Sequence, residues 1–327
     1  NVVLRDAIKH VGKELYIGGG SSNKILKKIF KIRWFVFLLY KLSLGTKVLH
    51  FGIFHNFPYS ILARWFCRNL YFLQSDSFKH SYEKIVSLSK QTLTVDIPIS
   101  RNIVAFNDGM RHIDVLTDKH KLFMFGHTRT RGSWINYIKK RSDNYFYQYH
   151  RDVDLSNGCV VLILSYFGFL PEMREPNNSA KVLFKKTIQV LNEVCGNIPV
   201  LIKPHVFTDM KVVNDLIVDA DNMHITYLHP TILALNSRCF IANAYSTTLA
   251  DANSVGIVTL EYTDYSESTL EETEGKSLGY EYVDYFINND LNLFKQTLQN
   301  ILLNTYKQSN YQGHTGDSSR LLFDLSK

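Results

Sequence analysis

The chain has 327 residues, of which 45% are hydrophobic and 20% are charged, and its formal net charge is +7. This composition excludes a disordered chain and predicts a globular protein with enough residues for two domains of ordinary size. The positive charge favours an anionic partner, such as a nucleotide-activated substrate, an anionic membrane surface or nucleic acid.

The cysteines and the apolar runs indicate the setting of the protein. Cys67, Cys159, Cys195 and Cys239 show neither CxxC pairing nor metal-ligand spacing, so we expect no metal site. Three of them lie in or beside apolar runs, which predicts buried thiols and a reducing compartment. No secretory signal is recognisable, and no apolar run approaches the roughly 18 residues that a membrane span requires. We therefore expect a cytoplasmic protein.

A glycine-rich turn lies between a strand predicted at residues 14–17 and a helix predicted from Asn23. In such a turn, Gly19 and Gly20 would let the backbone approach a phosphate or a sugar. The run has neither the full dinucleotide fingerprint nor the spacing of a Walker lysine, and a plain tight turn is the alternative.

Residues 24–44 carry six Lys or Arg residues among Ile, Leu, Phe and Trp. This pattern is typical of a basic amphipathic helix on a membrane surface, and also of a core helix with a solvated basic face. Beyond it, we predict a strand at residues 47–53. We predict a helix at residues 58–73, because the apolar residues of that segment recur at helical spacing.

A strand predicted at residues 102–106 ends at Asn107-Asp108-Gly109. An aspartate at this point can accept a proton from a sugar hydroxyl as a general base, or it can cap an Asx turn. Residues 120–150 interleave basic and aromatic side chains, which fits stacking on sugars or bases, or a half-buried segment between domains. The residues assigned to acceptor binding are Arg111, His127 and Arg129.

A Ser156-Asn157-Gly158 turn coincides with a shift in composition, and we place the domain boundary there, giving domains 1–155 and 156–327. From residue 159 onward, apolar strands alternate with amphipathic helices, and the same alternation is visible less cleanly before residue 110. This order predicts an α/β protein with mostly parallel sheets. Two such domains predict two Rossmann-like lobes that face a central cleft.

Three apolar runs in the C-terminal half, at residues 198–202, 239–242 and 257–260, end in polar side chains. Ligands bind beyond the carboxyl ends of parallel strands, so these side chains are expected at one crevice. A lysine and a histidine there could stabilise a phosphate, and hydroxyls at a helix start could bind an anion. The residues concerned are Lys203, His205, Ser246, Thr247 and Glu261, with His229, which precedes Pro230, as the alternative to His205.

The order of these motifs resembles that of bacterial sialyltransferases and related two-domain GT-B transferases, which use CMP-activated sialic acid or Kdo. Their motifs are an acidic-acidic-Gly triplet, a His-Pro pair and a Ser-Ser/Thr pair. The first corresponds to Asn107-Asp108-Gly109, with Asn in place of the first acid. The second corresponds to Pro204-His205 in inverted order, or to His229-Pro230, and the third to Ser246-Thr247.

The resemblance implies a GT-B fold and an inverting, metal-independent transfer of an acidic sugar from CMP to a bacterial surface glycan or glycolipid, such as lipopolysaccharide or capsule. Asp108 would be the base, His205 with Lys203 would support the leaving phosphate, and Ser246 and Thr247 would bind it. The nucleoside would meet Ser165, Tyr166, Gly168 and Glu261. No cofactor and no nucleic acid is implied, and peripheral contact with the inner face of the cell membrane stays open.

Two other functions fit the sequence. The first is a UDP-sugar transferase or a sugar-nucleotide epimerase, which would keep the fold and change the donor. The second is a non-enzymatic binder of membranes or nucleic acid, which would rest on the net charge of +7 and on the basic residues between 24 and 41. Asp152-Val153-Asp154 has the spacing of the metal motif of other glycosyltransferases, but it precedes a turn and is interpreted as a solvated loop.

Overall fold

The structure is a computed structural model, and it describes residues 24–50, 57–73, 100–105, 120–126, 128–164, 179–205, 208–218 and 220–303, with the single positions 6, 54 and 321. The chain forms two compact units. The N-terminal unit consists of Val2–Thr128 together with His314–Lys327, and the C-terminal unit consists of Arg129–Gly313.

The N-terminal unit contains a parallel sheet of four described strands in the order β1-β2-β3-β4. Every side chain of β2 and β3 is buried. The elements are α1 (Lys24–Ser43), β1 (Val48–His50), α2 (Tyr59–Trp65), β2 (Leu70–Leu73), β3 (Asn102–Ala105) and β4 (Lys121–Met124).

The helix predicted over residues 58–73 is shorter in the structure, and the prediction was wrong for its second half. Helix α2 ends at Trp65, and the chain then enters β2 at Leu70. A short apolar run cannot be assigned to helix or strand from its periodicity alone. Here the side-chain amide of Asn102 donates to the carbonyl oxygen of Leu70 at 3.0 Å and thereby joins β2 to β3.

The C-terminal unit contains a parallel sheet of six described strands in the order β10-β9-β8-β5-β6-β7. Its strands are β5 (Cys159–Ile163), β6 (Val200–Lys203), β7 (Met223–Ile225), β8 (Ser237–Ala242), β9 (Val258–Thr263) and β10 (Tyr285–Asn288). Its helices are α3 (Gly132–Lys139), α4 (Ser142–Tyr149), α5 (Ser179–Cys195), α6 (Met210–Ile217), α7 (Pro230–Leu235), α8 (Thr248–Asn253), α9 (Glu267–Glu272) and α10 (Leu291–Leu302).

The strand order of this sheet is that of a doubly wound Rossmann fold, because the chain builds outward from β5 first through β6 and β7, and then through β8, β9 and β10. The side chains of β5 are all buried, as expected for a central strand that is covered on both faces. Helices α5 and α10 pack together, and Phe184 and Phe294 lie fully buried in the same core. The predicted α/β class with parallel sheets is confirmed.

The boundary between the units differs from the predicted one near residue 155, because the C-terminal unit begins at Arg129. Helices α3 and α4 pack against α7 of this unit. The buried His150, just after α4, shares a hydrogen bond of 2.8 Å with the hydroxyl of Thr226. At the other end of the chain, Leu321 packs in a core cluster with Tyr71 of the N-terminal unit. Across the described residues, no helix is both long enough and apolar enough to cross a membrane.

Candidate functional site

The chain order of the C-terminal sheet reverses between β5 and β8, and ligands of such sheets bind beyond the carboxyl ends of the strands at this switch point. Lys203 is the last residue of β6, the neighbour of β5. Ser246 and Thr247 connect β8 to α8. The predicted lysine and hydroxyl residues therefore lie at the edge of the sheet where a ligand is expected.

A buried carboxylate, that of Asp251 in α8, organises the polar side chains at this edge. Its Oδ1 accepts a hydrogen bond of 2.9 Å from the Thr231 hydroxyl. Its Oδ2 lies 3.3 Å from Nη1 of Arg129. The contact with Arg129 is an ion pair whose geometry does not meet the criteria for a hydrogen bond. A carboxylate removed from water requires such partners to remain charged.

Arg129 contacts two parts of the site. The other terminal nitrogen of its guanidinium, Nη2, donates to Oγ1 of Thr247 at 3.2 Å. The Arg129 side chain is 29% exposed, whereas that of Asp251 is 1% exposed. Both terminal nitrogens of the guanidinium thus contact the N-terminal part of α8, and part of the side chain stays exposed to solvent.

Lys203 is close enough to Asp251 and Arg129 to interact with both electrostatically. Burial is the main cause that lowers the pKa of the Lys203 ammonium group, the charge of Asp251 opposes this shift, and the charge of Arg129 adds to it. Arg129, Lys203 and Asp251 together carry a formal charge of +1 at a place where Lys203 and Arg129 are partly buried. Such a place attracts an anion more strongly than exposed lysines do.

His229 belongs to the same group of side chains. Its Nδ1 accepts a hydrogen bond of 3.2 Å from the backbone N–H of Thr231 and caps α7, so the ring proton lies on Nε2. Burial lowers the pKa of His229 to about 4, and the positive charges of Arg129 and Lys203 contribute, against the opposing effect of Asp251. His229 is therefore a neutral imidazole at neutral pH, with Nε2–H as a donor.

Helix α3 completes the group through Trp134. The indole Nε1–H of Trp134 donates to Oγ1 of Thr231 at 3.4 Å, and the indole ring meets the His229 ring edge to face, with the ring centres 5.2 Å apart. Thr231 is fully buried and connects this contact to Asp251. We call Arg129, Trp134, Lys203, His229, Thr231, Thr247 and Asp251 the anion cluster.

Three of the predicted site residues, Lys203, Thr247 and Arg129, are brought together in the anion cluster. Ser246 precedes Thr247, and its hydroxyl accepts a hydrogen bond of 3.3 Å from the Thr248 N–H. Arg129 was predicted to bind the acceptor, but the structure puts it beside the residues that were predicted to bind the donor phosphate.

Of the two candidate histidines, His229 interacts electrostatically with Lys203 and Arg129. His205 is exposed two residues beyond β6, its backbone N–H donates to the Thr208 hydroxyl at 2.9 Å, and burial lowers the pKa of its ring. The sequence motif that located His229 is the His-Pro pair, in which Pro230 occupies the first position of α7.

Glu261 does not end its strand, because β9 continues to Thr263 and pairs with β10 along that length. Glu261 is fully buried, and its carboxylate accepts hydrogen bonds from the Tyr265 hydroxyl at 2.5 Å and the Ser277 hydroxyl at 2.6 Å. Burial raises the pKa of Glu261, and both hydrogen bonds oppose the shift. The structure therefore shows Glu261 as part of an internal hydrogen-bonded group, and its predicted contact with a nucleoside stays a prediction.

The remaining predicted residues lie outside the described residues. They are Gly19, Gly20, Asp108, Arg111, His127, Ser165, Tyr166 and Gly168. Within the described ranges, no group of three or more His, Cys, Asp or Glu side chains is arranged to hold a metal ion. The Asp154 carboxylate of the Asp-x-Asp sequence accepts hydrogen bonds from the Ser156 N–H and hydroxyl, as expected for a loop turn.

No family model matches the sequence, and no curated protein shows significant similarity to it. Among solved structures, a glycosyltransferase from Rickettsia africae ESF-5 is similar, with 11% identity, a TM-score of 0.48, and coverage of 94% of this chain and 79% of that one. The glycotransferase of kitacinnamycin has 10% identity, a TM-score of 0.45, and coverage of 99% and 83%.

A variant of the wall teichoic acid polymerase TagF has 12% identity and a TM-score of 0.42, with coverage of 77% of this chain. The match spans 62% of the TagF chain, so a substantial part of that protein has no counterpart in it. At these identities and TM-scores, the likenesses carry no argument about the activity, substrates or partners of this chain.

Proposed function

We propose that the chain is a glycosyltransferase whose C-terminal unit binds the phosphate of a nucleotide-activated donor. The observation that carries the proposal is the anion cluster at the switch point of a doubly wound sheet. There, Arg129 pairs with the buried carboxylate of Asp251, Lys203 interacts electrostatically with both groups, and the three together carry a formal charge of +1. Anionic ligands of such sheets bind at this edge, where the electrostatic attraction is strengthened by the low local dielectric.

The side chains of the anion cluster suit a leaving phosphate. Lys203 and Arg129 supply charge, and His229 supplies a neutral Nε2–H donor whose orientation is fixed by its bond to α7. Donors that are already oriented stabilise developing negative charge without reorganisation during the reaction. In this proposal the charge that develops on the phosphate is balanced by these side chains rather than by a metal ion.

The finer proposal is that the donor is a CMP-activated acidic sugar and that the acceptor is a bacterial glycan or glycolipid. Its support is the order of motifs along the sequence, with Asn107-Asp108-Gly109 first, His229-Pro230 second and Ser246-Thr247 third. The bond between the anomeric carbon and the phosphate oxygen breaks, and a new bond forms to the acceptor oxygen with inversion. The acceptor proton passes to Asp108, and CMP leaves with its charge held by the anion cluster.

The test is the release of CMP from CMP-Kdo and CMP-sialic acid in the presence of an acceptor. We expect at least about a hundredfold loss of rate for His229→Ala and Asp108→Ala, since an oriented donor and a general base each contribute on that scale. His205→Ala is the matched control and should keep most of the activity. Loss of activity in His205→Ala together with full activity in His229→Ala would reject the assignment of the histidine.

A panel of nucleotides in a thermal-shift assay separates the alternatives, because a bound ligand raises the unfolding temperature. A shift with CMP supports the donor proposed above. A shift with UDP alone would favour a UDP-sugar transferase or a sugar-nucleotide epimerase. RNA or lipid binding without any nucleotide shift would instead favour the non-enzymatic basic binder.

A further inference from the structure

Helix α1 of the N-terminal unit presents an apolar stripe to solvent. The side chains of the stripe are between 46% and 68% exposed, and they are Ile25, Ile29, Ile32, Val36 and Tyr40. They follow one another at intervals of three or four residues, so they lie along a single face of the helix. A continuous apolar face of this length on a protein surface usually marks an interaction site.

The stripe is separate from the face by which α1 packs on its own unit. Leu38 and Leu42 of α1 are buried in a core cluster with Phe54, Leu62 and Leu70. The helix is therefore anchored through its C-terminal half, and the stripe adds nothing to that core. An apolar surface that does not serve folding needs another partner to offset its cost in water.

The charged residues of α1 itself are all basic. The sequence of α1, from Lys24 to Ser43, contains no acidic residue. Lys28 and Arg33 are exposed, and the rotation of 100° per residue puts them on opposite sides of the stripe. Long basic side chains beside an apolar face can extend their charged ends to phosphate headgroups while the apolar residues enter the membrane interface.

We propose that the stripe of α1 docks on the surface of an anionic lipid bilayer, with the helix axis in the plane of the interface. A second copy of this chain is a poorer occupant, because two such helices would bring Lys28 and Arg33 of each copy together without any acidic residue of α1 to pair them. A nucleic acid would neutralise the charge but would leave the apolar stripe in water. This inference does not depend on the proposed transferase activity.

The test is co-sedimentation of the full chain with vesicles of phosphatidylcholine alone and with vesicles that also contain phosphatidylglycerol. Ile32→Ser combined with Val36→Ser removes the centre of the stripe at exposed positions. We expect wild type to bind the anionic vesicles and the double variant to bind at least about tenfold more weakly. The matched control is Val218→Ser with Leu303→Ser, which alters residues that are 75% and 70% exposed in the other unit, and it should bind like wild type.

A second variant tests the charges. Lys28→Gln combined with Arg33→Gln should reduce the preference for anionic over neutral vesicles and the sensitivity of binding to salt. Circular dichroism and thermal unfolding of the three variants should match wild type, because all six substituted positions are exposed. Wild type that stays in the supernatant with both vesicle types would overturn the proposal. So would a dimer in lipid-free solution that the substitutions in the stripe convert to monomers.

Discussion

The protonation state of His229 follows from its surroundings rather than from its type. The ring is buried against Trp134, and it shares its neighbourhood with the positive charges of Lys203 and Arg129. Protonation of the His229 ring would place a third cation beside Lys203 and Arg129, and the new charge would be largely removed from water. The folded protein therefore keeps His229 neutral down to a pH of about 4.

The difference between the pKa of His229 in the folded protein and in the unfolded chain predicts that stability depends on pH. In the unfolded chain a histidine binds a proton near pH 6.5, whereas His229 in the folded protein does so near pH 4. Between these values the unfolded state holds more protons, so the free energy of unfolding rises with pH. The contribution of His229 to stability is fully present above pH 6.5 and is lost as the pH falls towards 4. His229→Asn, which can still cap α7, should reduce this slope by about 1 kcal/mol per pH unit.

The slope is measured by urea unfolding at several pH values, with His205→Asn as the control. His205 is exposed, and its replacement should change the slope less. An unchanged slope in His229→Asn would contradict a neutral, buried His229.

At the scale of single residues, the sequence predicted those site residues that lie at or just beyond the ends of strands. Lys203 ends one apolar run, Thr247 lies in the turn that follows another, and both belong to the anion cluster. Asp251, Thr231 and Trp134 were missed, because their contacts join helices that are far apart in sequence. An available signal was the acidic Asp251 within the otherwise apolar Leu249-Ala250-Asp251-Ala252. A charge in such a run requires a partner when the helix is buried.

At the scale of elements, Asp251 joins three parts of the C-terminal unit. It lies in α8, accepts a hydrogen bond from Thr231 in α7, and pairs with Arg129, which precedes α3. Packing alone would leave these short helices less firmly placed, since α7 and α8 have six residues each. The buried carboxylate therefore connects the anion cluster to the arrangement of the helices around it.

Asp251→Asn keeps the volume of the side chain and removes its charge. We expect the free energy of unfolding to fall by about 1–3 kcal/mol, less than for a fully buried pair, because Arg129 can turn towards water. We also expect weaker nucleotide binding, since Arg129 loses the carboxylate that holds its guanidinium beside Thr247. Urea unfolding and nucleotide titration measure the two effects.

The control for Asp251→Asn is Glu193→Gln, which breaks an exposed ion pair of 2.7 Å with Lys295. Exposed pairs contribute little, so this variant should unfold at nearly the wild-type midpoint. Equal effects of the two substitutions would show that Asp251 has no special structural role.

Elements with a clear period were predicted better than short apolar runs. One of the amphipathic helices predicted after residue 159 is α5, Ser179–Cys195, whose apolar residues recur at helical spacing. Strands β4 and β10 have four residues each and were not predicted. The period of so short a run cannot be distinguished from that of a helix turn, and tertiary pairing decides its conformation.

At the scale of the whole molecule, the α/β class was predictable because alternating strands and helices leave few other folds. The boundary between the units was not predictable, because the turn composition at residues 156–158 does not determine which sheet the preceding helices pack on. The contacts of α3 and α4 with α7 decide it, and they bring residues 129–155 into the C-terminal unit.

The boundary can be tested with two fragments. A fragment of residues 129–313 should be soluble and unfold cooperatively, because it keeps α3 and α4 on α7 and the whole six-stranded sheet. A fragment of residues 156–313 lacks both helices and Arg129, so it should expose the apolar surface of α7 and should aggregate or unfold at lower temperature. Gel filtration and thermal unfolding provide the comparison. Equal stability of the two fragments would support the boundary near residue 155.

The return of His314–Lys327 to the first unit has a consequence for biosynthesis. Leu321 packs with Tyr71 and Phe123, which means that one hydrophobic cluster draws on segments far apart in translation. During translation, all six described strands of the doubly wound sheet are synthesised before Leu321, which packs in this cluster. The C-terminal unit can therefore complete its fold before the cluster around Tyr71 and Phe123 receives Leu321.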